Sequence, residues 1–183
     1  MSVCYLDPCP TTCSGTVEAV DFNECAPETH WGEVSKIYLV DSSFSGLVDA
    51  EDLASWALVT SQTEAGHIRT LTVIGDLPEP ETTEVPISGD RIAIGAKTFN
   101  LNFTIDETNE TNYEFLKMLE CGGKYLIWFE TSDGILYGGD LGIGVSIRLN
   151  MIIPRERTAH VTYEGKATWK SFTHPCRAIS PWY

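Results

Sequence analysis

The chain has 183 residues, 43% of them hydrophobic, and carries 26 acidic against 12 basic side chains for a net charge of −14. That size and apolar content support one substantial core, which excludes a disordered chain and leads us to expect a single domain with arms. The charge argues against wrapping a nucleic acid, an affinity that comes from Lys and Arg neutralising phosphates. No stretch approaches 18 consecutive apolar residues and the start lacks the basic and apolar regions of a secretory signal, so the expectation is a soluble protein with no membrane partner.

The first 30 residues read as an irregular arm. Cys4, Cys9, Cys13 and Cys25 fall there among Pro8, Pro10 and Gly15, a composition that suits neither strand nor helix. In a reducing compartment clustered thiols are candidate metal ligands, because thiolates bind zinc tightly and disulfides do not persist. Cys9-x3-Cys13 fits the spacing of a zinc loop, Cys4-x4-Cys9 sits at its limit, and no second tight pair follows. Zinc or an iron-sulfur cluster on these four residues, a disulfide involving Cys176, and unpaired thiols all remain open. Cys121 reads as a small packing residue at a helix end.

Residues 34–40 read as a strand ended by Asp41-Ser42-Ser43. Residues 50–59 suit a short helical turn capped by Asp49 or Asp52, with Leu53, Trp56 and Ala57 on one face. Residues 67–75 set Ile68, Thr70, Thr72 and Ile74 opposite Arg69, Leu71 and Val73, as in a strand buried on both sides. The acidic, proline-containing stretch 76–84 reads as an extended loop or the tip of a hairpin, followed by a short strand at 87–94 and a turn at 95–97.

From Thr98 the alternation is unbroken, with Phe99, Leu101, Phe103 and Ile105 on one face and Asn100, Asn102 and Thr104 on the other. A half-buried strand follows from it. Thr111-x-x-Glu114 has capping-box spacing, and Tyr113, Leu116 and Leu119 form a stripe, so a helix is expected over residues 111–121, closed by Gly122-Gly123. Residues 124–131 are a strongly apolar strand, with a turn at 132–134 and an antiparallel return from Ile135. Residues 145–153 give another strand, and 158–163 with 166–172 a final hairpin across Glu164-Gly165. The expected class is therefore mainly β, an antiparallel sandwich or barrel with one flanking helix. It spans residues 31–172 between the arm at 1–30 and a tail at 173–183, which is suited to docking on a neighbour.

The residues offer no phosphate loop, nucleophile elbow or metal-binding helix motif. The run Gly138-Gly139-Asp140-Leu141-Gly142-Ile143-Gly144 leads into a strand and lacks the helix N-terminus that a phosphate cradle needs. His30, His67, His160 and His174 are scattered, and Asp106, Glu107, Glu110 and Glu114 are explained by helix capping and solvation. No catalytic residue and no enzymatic activity are expected.

Residues 98–139 together with 145–169 resemble the tail tube (major tail) proteins of long-tailed bacteriophages and their relatives in contractile injection machines. The resemblance is carried by Phe99-Asn-Leu-Asn-Phe-Thr-Ile-Asp, the helix over 112–121, the strand 125–129, Gly138-Gly139 and the closing Tyr163-Glu-Gly-Lys-Ala-Thr-Trp. It implies a non-enzymatic virion structural protein, assembled in the host cytoplasm into homo-oligomeric rings with other virion proteins. DNA would pass through the rings without specific binding, along a negative lumen that repels phosphates. The same element order suits a head-tail connector, tail-completion or capsid-decorating protein, and the cysteine-rich arm keeps a metal-stabilised bacterial binding module as the competing class.

Overall fold

The structure is a computed structural model, and it describes residues 32–183 other than 48, 62, 64, 65, 89, 90, 108 and 157. The proposed metal ligands Cys4, Cys9, Cys13 and Cys25 lie outside the described residues.

Six antiparallel strands close on themselves. β1 (Val34–Asp41), β2 (Arg69–Asp76), β4 (Arg91–Ile105), β8 (Thr162–Ser171), β7 (Ile143–Ile152) and β5 (Gly123–Thr131) follow one another around the barrel, and pairing of β1 with β5 shuts it. The expected class is thus the observed one, in its barrel form. The alternation from Thr98 explains why closure works. Phe99, Leu101, Phe103 and Ile105 are all buried, and they meet Val145, Ile147, Leu149, Tyr163, Ala167 and Trp169 from β7 and β8 in one core. Period-2 alternation puts every second side chain inside, so each strand contributes to the core with half its residues.

The chain crosses from β4 to β5 by α2 (Glu110–Glu120), which packs on β7 and inserts the fully buried Leu116 and Leu119 into the barrel core. Its N-cap is Asn109, whose Oδ1 accepts from the Asn112 amide at 2.8 Å, so the expected capping box at Thr111 is displaced by two residues.

Three strand expectations are corrected. Residues 81–88 form a strand, β3 (Glu81–Ser88), and β4 runs unbroken from Arg91, so the expected strand at 87–94 and the turn at 95–97 are replaced by one long hairpin. Pro86 is tolerated because β3 pairs only with β4 and its other edge needs no donor. Second, the expected hairpin across Glu164-Gly165 is the single strand β8, which pairs with β4 on one side and β7 on the other. Gly165 is there for space: a Cβ would run into the Phe103 ring and Leu149 Cδ1. Third, β2 is buried on one face only, with Val73 inside and Ile74 60% exposed.

A second core lies outside the barrel, against β1 and β5. Tyr38, Val40 and Trp128 point outward there and are covered by the segment 42–68, which contains α1 (Leu53–Ala57) capped by the Asp52 carboxylate. Of the expected apolar face of that helix only Trp56 is buried, while Leu53 is 49% exposed. The short strands β6 (Ile135–Tyr137) and β9 (Arg177–Ile179) extend the sheet beside β5. Trp182 then stacks on Tyr38 with ring centroids 4.9 Å apart. The tail expected to reach a neighbour packs on its own barrel.

Candidate functional site

Tyr38 and Glu130, both buried, form an ionisable group with the half-exposed Lys36 on the outer face of β1 and β5. The Tyr38 hydroxyl donates to Glu130 Oε2 at 2.7 Å and Lys36 Nζ meets Oε1 at 3.1 Å. Burial, then the hydrogen bond and charge of Glu130, push the Tyr38 hydroxyl far above its ordinary value. It is therefore held neutral, as a donor to a fixed carboxylate. With Trp182 stacked over the ring, the group works as a polar tie between β1 and β5 beneath the tail.

The glycine-rich run is explained by Trp128. Its Nε1 donates to the Gly139 carbonyl at 2.6 Å, and a Cβ on Gly142 would stand 2.8 Å from the indole Cζ2. Gly142 also holds φ +72, a region open to glycine at little cost. Asp140 completes the clasp: its carboxylate accepts from the Ala50 amide at 2.8 Å and its carbonyl from Leu47 at 2.7 Å, joining the run to the covering segment.

Among the described residues the cysteines and histidines do not gather into a cluster. Cys121 is free and exposed at the C-cap of α2, against the expectation that it packs. Cys176 is held in a disulfide. Among the described residues no three His, Cys, Asp or Glu side chains are grouped to hold a metal ion. Asp106, Glu107, Glu110 and Glu114 stand exposed around the entry to α2. The cleft of about 410 Å³ between α2 and β2 is lined by Arg69, Thr70, Thr72, Glu107, Asn109 and Asn112. No helix of the described chain is long and apolar enough to cross a membrane.

What the fold presents instead is surfaces, of two kinds. The first is the β3–β4 hairpin. Its two strands pair with each other from Glu81↔Thr98 to Ser88↔Arg91, while β8 reaches β4 only from Lys97. Residues 91–96 therefore have one open edge and β3 another, and open edges invite a further strand.

The second is the outer face of β2, β4, β8 and β7. Nothing among the described residues covers it, and it is built of Thr72, Asn100, Asn102, Thr104, Ser146, Asn150 and Thr168 with few apolar groups. Its cations are Arg148, Lys166 and Lys170 against the carboxylates of Asp76 and Glu164, so this face does not share the acidity of the chain as a whole. Sequence reasoning found the acidity but not its uneven placement, which depends on which strands become neighbours. No protein-family model matches the chain, and no curated protein resembles it significantly.

Proposed function

We propose that this protein is a non-enzymatic structural subunit that assembles with copies of itself into rings of a phage tail tube, part of a virion, around a channel for DNA. The observation that carries the reading is the hairpin of β3 and β4, a two-stranded arm with open backbone edges on a barrel that is otherwise closed. A two-stranded ribbon alone is marginal in water, and strand addition from a neighbour satisfies its edges. The arm supplies the contact between subunits or successive rings, and the barrel is the rigid body that carries it. The uncovered polar face supports the same reading, because a surface without apolar patches can face a water-filled channel or a polar neighbour without aggregating.

The expected lumen needs one change. The uncovered sheet face is close to neutral, so repulsion of DNA falls to the acidic segments around it: Glu79, Glu81 and Glu84 near the arm, and Asp106 to Glu114 at the helix entry.

Electron microscopy and sedimentation of the purified full chain over a wide concentration range test the proposal. Rings or short tubes are expected, and shortening the hairpin between Glu81 and Lys97 should abolish them while the barrel stays folded. A protein that stays monomeric at its highest soluble concentration and shows no repeated density in the particle would refute it.

A further inference from the structure

Arg148 on β7 and Lys166 on β8 stand directly opposite each other in register, and Lys170 follows on the same face of β8. All three are exposed, and none makes an ion pair with a described residue. Like charges directly opposite on neighbouring strands destabilise a sheet, and Glu164 and Asp76, which line the same cleft, lie close to this pair without forming an ion pair with it. Along the ladder the neighbours are neutral on one side, where Ser146 faces Thr168 and the Thr168 hydroxyl donates to Asn100 Oδ1 at 3.1 Å, and include one acid on the other, where Glu164 faces Asn150; Asn102 of β4 faces Lys166. The same chain bears a matching excess elsewhere. Asp106, Glu107, Glu110 and Glu114 are exposed within nine residues around the start of α2, and Asn109 Nδ2 donates to Glu107 at 2.9 Å. Although Arg69 lines the same cleft as Glu107 and Lys117 follows on α2, none of the four acids forms an ion pair with a described residue.

We infer that the cation row Arg148, Lys166 and Lys170 receives the acidic helix-entry segment (Asp106, Glu107, Glu110 and Glu114) of a second copy of this chain. The inference rests on the self-assembly proposed above and names the surfaces that meet in it. Because the two patches are different, the contact runs head to tail, and a head-to-tail contact propagates into a closed ring or a filament. Two chains of net charge −14 repel at long range, but that repulsion is screened beyond about 8 Å at physiological salt. Complementary charge then sets register and excludes wrong pairings. A nucleic acid is the weaker occupant. Its phosphates would have to approach a chain with more than twice as many acidic as basic residues, although the face itself is close to neutral.

Charge reversal in the full chain tests the contact. The double variant R148E/K166E should weaken self-association roughly tenfold or more by sedimentation equilibrium, and E110K/E114K should do the same. All four changes together should restore association to within about threefold of the wild type, because opposite charges face each other again. Unchanged melting temperatures show that each variant is folded. Association that survives R148E/K166E overturns the contact while leaving the ring intact. A loss that the fourfold variant does not restore overturns the assigned pairing. A wild type that never associates removes the ring itself. If R148E/K166E instead abolishes retention of a short DNA duplex and leaves subunit association unchanged, the face binds polyanions and the inference is wrong.

Discussion

The barrel has two outer faces of the same backbone geometry and opposite treatment. On β1 and β5 the outward residues are Tyr38, Val40 and Trp128, and the chain spends the segment 42–68 and its tail covering them. On β2, β4, β8 and β7 the outward residues are mostly Thr, Asn, Ser, Lys, Arg, Asp and Glu, with Ile74 and Ile152 the apolar exceptions, and nothing among the described residues covers them. The difference teaches where stability ends and interaction begins. An apolar outer face must be roofed by its own chain, whereas a polar one is left free for a partner or for solvent.

The largest expected effect is on the roofed side. Trp56 is fully buried, contacts Trp128 and Trp182 at 5.5 and 4.9 Å, and donates from Nε1 to the Ala50 carbonyl at 2.9 Å. Replacing it by alanine should cost about 3–5 kcal/mol in chemical denaturation. A loss below about 1 kcal/mol would mean that the roof is dispensable and the comparison false.

Inside the barrel, Gly165→Ala forces a methyl against Phe103 and should cost about 1–3 kcal/mol. Gly142→Ala combines a crowded indole with positive φ and should cost about 1 kcal/mol or more. Thermal melts of both, set beside an alanine at exposed Gly144, separate packing from chain entropy.

Tyr38 sharpens the comparison through pH. Its hydroxyl titrates well above the ordinary value of 10.0 in the folded protein, so its contribution is fully present below pH 10 and is lost as pH rises through the folded value. Stability should fall more steeply above pH 10 in the wild type than in Tyr38→Phe. Tyr125 and Tyr163 are also raised by burial, so part of the slope should persist in the variant. Identical slopes would show that the Tyr38 to Glu130 tie does not hold the hydroxyl neutral. Smallest of all should be Lys166→Ala on the open face, within about 0.5 kcal/mol by denaturation. A larger loss would show that the face serves the fold and is not held for a partner.

Much of the fold was legible because its signals are local. The alternation from Phe99 to Ile105 and the apolar run at 124–131 each follow from the period of one element and are where they were expected, and of the helix stripe Leu116 and Leu119 are buried whereas Tyr113, expected with them, is 42% exposed. Errors cluster where a residue has two uses. Gly165 and Gly95 resemble turn residues, yet both sit within strands. Pro86 resembles a strand breaker and sits on an edge. The candidate surfaces were less legible, since no stretch of sequence says that Arg148 will face Lys166, or that β3 will lack a second neighbour.

By itself, then, the sequence determined the class and much of the interior of this protein: the side chains that point inward from Phe99 to Ile105, the one helix that crosses between strands, and a chain with more than twice as many acidic as basic residues. Only the tertiary structure decided that the strands close on themselves, that Trp128 and Tyr38 face outward beneath a roof, and that the cations gather on the face left bare. The reason is range. Periodicity and capping act over a few residues, whereas closure and charge placement depend on pairings such as Ile37↔Phe129 and Arg148↔Lys166, which the folded chain alone brings together.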